Sequence, residues 1–146
     1  MAYVNRASFT VNASPEEAFA LISDLTRSPE WASNPLKVEV VSGGPVGLGT
    51  KYRSEAKFMG KDVHAEQEVT AYEPPTHFAF TNTEGHETYE HVFTVRAQNG
   101  KSLIERTITF HVPGFRGVMI RFVVPIVSKK FDRQNSEKLN EVFPSS

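Results

Sequence analysis

His91 and Arg106 are the two residues whose types and placement point most directly to proton or charge chemistry. His91 shares strand parity with Tyr89, Phe93 and Val95, so a strand here turns the imidazole toward an apolar face. An imidazole in a dry cavity can serve as general base or acid, because its pKa lies near neutrality. The plainer role is a hydrogen-bonded core histidine. Arg106 shares parity with Ile104, Ile108, Phe110 and Val112. A guanidinium on an apolar face must find a partner, because burying it unpaired is very costly. That partner is a carboxylate or enolate oxygen of a ligand, or else an internal ion-pair carboxylate, or water reached at the edge of the sheet.

Asn99-Gly100 lies between the two segments and is a strong hairpin signal. Counting outward from it pairs Ala97 with Ser102, Val95 with Ile104, Phe93 with Arg106 and His91 with Ile108. His91 and Arg106 then stand diagonal to one another, roughly 7–8 Å apart. A slip of one residue would carry both to the outer face.

Other side chains fall on the same predicted inner surface. Gln67 sits among Val63, Ala65, Val69 and Ala71 and could orient a ligand by hydrogen bonding. Tyr52, with Ser54, Ala56 and Phe58, shares the inner parity of its strand, opposite Lys51, Arg53, Glu55 and Lys57. Tyr52 and Tyr89 each combine an apolar body with a polar tip. The expected ligand-binding set is Tyr52, Phe58, Gln67, Tyr89, His91, Arg106 and Ile108, joined by Val124, Val127 and Phe131 from a C-terminal helix.

Several chemistries find no support. The loop Gly44-Pro45-Val46-Gly47-Leu48-Gly49 opens a strand, whereas a phosphate loop opens a helix whose N–H groups face the anion. Histidines 64, 77, 86, 91 and 111 lack metal-ligand spacing, and no metal or cofactor is expected. The sequence contains no cysteine, which removes disulfides, thiolate metal sites and cysteine nucleophiles. It also lacks the Gly-x-Ser-x-Gly elbow of a hydrolase.

The elements that must position these groups read as follows. Ala7 to Val11 alternates as a strand. Ser14-Pro15-Glu16-Glu17 is a helix start with a capping box, and that helix continues to Leu25. A short helical turn follows at Ser28 to Trp31. Strands are expected at Lys37–Val41, from Thr50, Val63–Tyr72, His77–Thr83, Glu87–Val95 and Ser102–Val112, with a tight turn at Met59 to Asp62. From Gly117 to Phe143 the residues Ile120, Val124, Val127, Phe131, Leu139 and Val142 recur at helical spacing, with Pro125 expected to kink the helix or begin its regular part. The order predicts an α+β fold: a seven-stranded curved antiparallel sheet around a long C-terminal helix, with a cavity between them.

Four local patterns resemble a known superfamily: Ala13-Ser14-Pro15-Glu16-Glu17-Ala18-Phe19; Asp24 with Pro29-Glu30-Trp31; Gly43-Gly44-Pro45-Val46-Gly47-Leu48-Gly49-Thr50; and Leu139 with Glu141. Together with the element order they resemble the START-like helix-grip superfamily (SRPBCC), in its polyketide cyclase/dehydrase-like branch. The resemblance spans essentially the whole chain. It implies a central cavity and an apolar ligand of polycyclic or acyl kind. It supplies no single catalytic signature.

The bulk properties agree with one ligand-binding domain over residues 1–146. A net charge of −1 argues against nucleic acid, whose binders carry a basic excess. No run reaches the ~20 apolar residues that cross a bilayer, and the first residues lack a signal-peptide core, so a cytoplasmic monomer or homodimer is expected. Phe115 to Arg133 mixes Phe115, Met119, Phe122 and Val123 with arginines and lysines. It reads as a helix with a core face and a solvated basic face, or else as a membrane- or partner-docking helix. Three functions stand open: a carrier or sensor of an apolar molecule, a cyclase or dehydratase using His91 and Arg106, and a membrane- or partner-docking lipid-transfer module.

Overall fold

Period-two alternation of apolar and polar residues shapes seven segments of this chain into strands, and the turns between the last five of them are short. In the structure, a computed structural model, residues 3–31, 37–58 and 61–143 are described, without the side chains at 57, 58 and 61. The strands are β1 (Tyr3–Val11), β2 (Lys37–Val40), β3 (Lys51–Phe58), β4 (Lys61–Glu73), β5 (His77–Glu84), β6 (Glu87–Gln98) and β7 (Lys101–His111). They form one seven-stranded antiparallel sheet in the order β1-β7-β6-β5-β4-β3-β2. This is the helix-grip architecture expected from the element order. The turn expected at Met59 and Gly60 lies outside the described residues; Lys61 and Asp62 belong to β4.

Helix α1 (Pro15–Ile22) starts as its sequence dictates. Ser14 Oγ accepts from Glu17 N–H at 3.2 Å, capping the helix, and donates to Glu17 Oε1 at 3.1 Å, so the two residues of the capping-box pattern are bonded to one another. The helix ends before Leu25. Asp24 Oδ1 accepts from both Thr26 N–H (3.1 Å) and Thr26 Oγ1 (2.6 Å), and this local turn opens a 3-10 helix, Leu25–Glu30. Asp24 thereby diverts the chain, as aspartates do when their side chains compete with the helical ladder.

The hairpin register predicted from Asn99-Gly100 is the observed one. Phe93 pairs with Arg106 and His91 with Ile108. The inner parity of β4 holds only as far as Val69. A β-bulge between Val69 and Ala71 shifts the register, so Tyr72 rather than Ala71 joins the core, its ring edge-on to Phe19 at 5.5 Å. The core gathers Phe9, Phe19, Leu21, Tyr52, Phe78 and Ile104 with Trp31.

Helix α2 (Gly114–Val142) runs unbroken through Pro125, which does not mark the start of its regular part. Its second half is anchored by buried Asn135 and Leu139 against β1 and the 3-10 helix. Its first half only half-buries an inner stripe that includes Ile120, Val124 and Phe131. Val127, expected on that stripe, is exposed.

Candidate functional site

The concave face of the sheet carries a cavity of about 350 Å³. Its floor is built strand by strand from inward parity: Ser54 and Ala56 on β3, Val63, Ala65 and Gln67 on β4, Phe80, Asn82 and Glu84 on β5, Tyr89 and His91 on β6, and Ile108 and Phe110 on β7. Leu25 and Ser28 of the 3-10 helix and Val38 of β2 close one side. The helix expected to form the opposite wall contributes only Arg116 of its first turn. The cavity therefore lies between the sheet and the 3-10 helix, because α2 packs with its far end over β1 instead.

Polar groups form a chain across this apolar floor. Register places Gln67 opposite Asn82, and Asn82 opposite Tyr89. Gln67 Nε2 donates to Ser54 Oγ at 2.7 Å and to Asn82 Oδ1 at 2.5 Å. Asn82 Nδ2 donates to Glu84 Oε1 at 3.2 Å. Burial pushes the Glu84 carboxyl above its usual range, and the nearby Glu87 carboxylate adds to this. Tyr89 Oη donates to Glu87 Oε2 at 2.5 Å, and Arg116 pairs with the other Glu87 oxygen. The Tyr89 hydroxyl is likewise held well above its ordinary range, first by burial and then by its bond to Glu87.

His91 lies flat on Phe80, ring centroids 4.4 Å apart and planes 7° from parallel. Burial, aided by the Arg106 cation, pushes its pKa down to about 3. The imidazole is therefore neutral near pH 7 but a poor proton acceptor, since an effective base has a pKa near the working pH. Arg106 is not on the cavity wall. Its Nη2 donates to Asp132 Oδ1 of α2 at 2.8 Å, and its guanidinium lies over the Phe9 ring, 5.5 Å from the centroid. Of the partners open to this arginine, the structure provides the internal carboxylate.

Of the residues expected around a ligand, the structure brings together Gln67, Tyr89, His91 and Ile108. Tyr52 is a core side chain beside the cavity, 1% exposed. Arg106, Val124, Val127 and Phe131 do not line it, and the side chain of Phe58 lies outside the described residues. Sequence reasoning missed Asn82, Glu84 and Arg116. The first two share parity with Phe78 and Phe80, so alternation along β5 could have found them. Arg116 carried no such signal. Among the described residues, no three metal-ligating side chains gather.

The depressed His91 pKa has a measurable consequence. Between its folded value of about 3 and the ordinary 6.5, the unfolded chain takes up a proton that the folded chain refuses. Stability conferred by the neutral imidazole is complete above that window and lost as pH falls through it, at about 1.4 kcal/mol per pH unit. His91→Phe preserves the stack on Phe80 and removes the titration. Urea unfolding from about pH 7 to about pH 5 should cost the wild type roughly 2 kcal/mol more than the variant. Glu84 acts in the opposite sense, but equally in both proteins. Equal losses would show that His91 takes up its proton in the folded state at an ordinary pH.

Comparison with known proteins places this geometry. Residues 5–140 match the family described as polyketide cyclase / dehydrase and lipid transport. A search of curated proteins found no match. Among solved structures, TTHA0849 from Thermus thermophilus is 22% identical with a TM-score of 0.75, the match covering 95% of each chain. CV1439 from Chromobacterium violaceum is 12% identical with a TM-score of 0.74, covering 99% of each chain. Ara h 8.0201 is 19% identical with a TM-score of 0.66, covering 97% of this chain and 99% of its own. These structures share the fold, and the match over residues 5–140 settles the kinship: the chain belongs to the polyketide cyclase/dehydrase and lipid transport family.

Proposed function

We propose that this protein holds a small, mostly apolar molecule in the cavity under the 3-10 helix, as a carrier or sensor that leaves it unchanged. The observation that carries this reading is the state of the cavity's polar groups. Gln67 bonds to Asn82 and Asn82 to Glu84, while Tyr89 and Arg116 both bond to Glu87. Such groups can orient the polar end of a ligand while apolar walls supply most of the contact, the usual composition of a small-molecule site. A volume of about 350 Å³ is near the lower end of the roughly 300–1,000 Å³ typical of such sites, so the ligand is small. Of the two residues expected to serve a cyclase or dehydratase, His91 is tuned away from proton exchange near neutrality and Arg106 does not line the cavity.

Native mass spectrometry of freshly purified protein should show a co-purifying small molecule. Fluorescence titration with anilinonaphthalene sulfonate supplies a probe when that site is empty. Ile108→Trp fills the space and should weaken the probe by about tenfold or more, while His91→Ala should change affinity only a few-fold. Unaltered affinity in Ile108→Trp, with the fold intact by circular dichroism, would place the binding elsewhere. If the co-purified molecule is chemically changed by the wild type and unchanged by His91→Ala, the protein is an enzyme.

A further inference from the structure

The outward side of α2 departs from the basic, solvated face expected of it. Phe115, Met119, Phe122 and Ile126 fall at spacings of four, three and four residues, which places them on one stripe of the helix. That stripe points away from the sheet: Phe115 is 76%, Phe122 71% and Ile126 76% exposed. Isolated exposed apolar residues are ordinary, but a contiguous stripe of large ones marks an interaction surface. The inner stripe of the same turns, with Ile120 and Val124, is already turned toward the protein, so these outward residues are not needed for the core.

The next turns of the same stripe carry Lys129, Lys130 and Arg133, all exposed. Between Gly114 and Phe131 the sequence contains no aspartate or glutamate. A helix face with large apolar residues at one end and cations at the other complements a surface whose interior is hydrocarbon and whose headgroups are anionic. A second copy of this chain has no acidic residue along this stretch to meet those cations. From Phe115 to Ile126 the helix advances only about 16 Å, and no described helix is long and apolar enough to cross a membrane. The fitting arrangement is a helix lying in the membrane surface.

We infer that the first half of α2 docks this protein onto anionic lipid membranes through Phe115, Met119, Phe122 and Ile126, with Lys129, Lys130 and Arg133 engaging the headgroups. The docking face adjoins the cavity, since Arg116 of the first turn lies in its wall. Docking turns that end of the cavity toward the lipid. The surface stands whether or not the cavity holds a ligand, because none of the four apolar residues lines it.

Co-flotation with large unilamellar vesicles tests it, using phosphatidylcholine alone and mixed equally with phosphatidylglycerol. The wild type should float with the mixed vesicles, bind the neutral ones about tenfold or more weakly, and be released as salt rises. Phe122→Ser/Ile126→Ser and Lys129→Gln/Lys130→Gln should each lower binding to the mixed vesicles by about tenfold or more. All four positions are exposed, so thermal melts should match the wild type. Absence of wild-type binding to the mixed vesicles overturns the inference, as does binding that neither variant weakens. A concentration-dependent dimer in sedimentation equilibrium, abolished by Phe122→Ser/Ile126→Ser, also overturns it by assigning the stripe to a second copy.

Discussion

Trp31→Ala should destabilise the protein by about 3–5 kcal/mol, a loss typical of truncating a buried aromatic side chain. Trp31 follows the 3-10 helix at its C-cap and is 6% exposed. Its ring stands edge-on to Phe93 at 6.3 Å, and Phe93 in turn packs against Phe78 and Phe80 on the inner face of the sheet. The indole thus helps to seat the 3-10 helix, the element closing the cavity, on the strands that form its floor. Trp31→Phe keeps an aromatic edge on Phe93 and removes an indole N–H that finds no acceptor among the described residues, so it should cost distinctly less than alanine. Urea unfolding of the three proteins measures this. A melting profile for Trp31→Ala within experimental error of the wild type would show the ring to be dispensable to packing.

Asp132→Ala should cost about 3 kcal/mol, the lower part of the range for breaking a buried ion pair, because its carboxylate is a quarter exposed. The aspartate is the partner of Arg106, whose side chain is only 12% exposed and lies between the Phe9 ring and α2. Removing it leaves a cation enclosed without a counter-charge and releases the tie between β7 and the helix. Replacing the pair together, as Arg106→Met/Asp132→Leu, should recover most of the loss, because no charge then needs desolvation. A double-mutant cycle by urea unfolding reads the coupling directly. In Arg106→Met the His91 imidazole loses one of the two causes depressing its pKa, so nuclear magnetic resonance titration should find that pKa raised. A loss below about 1 kcal/mol for Asp132→Ala would reduce the pair to an exposed contact.

The sequence by itself determined whatever follows from local periodicity. Ser14 and Glu17 fix the start of α1, because a capping box involves only neighbours. Asn99-Gly100 fixes the β6–β7 register, because a two-residue turn leaves no slack, and with it the inward direction of His91 and Ile108. Parity likewise sends Gln67 and Tyr89 to the cavity. The family patterns in the first helix and glycine loop identify the fold for the same reason, since they mark the ends of local elements.

Tertiary structure decided what depends on residues far apart in the chain. Counting by twos fails at the bulge after Val69, which replaces Ala71 with Tyr72 on the inner face through pairing to β5. The partner of Arg106 stands 26 residues away on another element, and nothing near either residue selects a carboxylate of the protein over one of a ligand. Which side of α2 meets the sheet is set by the seating of Asn135 and Leu139, two turns and more beyond the apolar stretch. That seating carries Val127 to the exposed side, leaves Phe122 and Ile126 in contact with solvent, and gives the cavity wall to the 3-10 helix. An amphipathic pattern states that a helix has an apolar face. When both faces of its first half are apolar, only packing at the other end can choose between them.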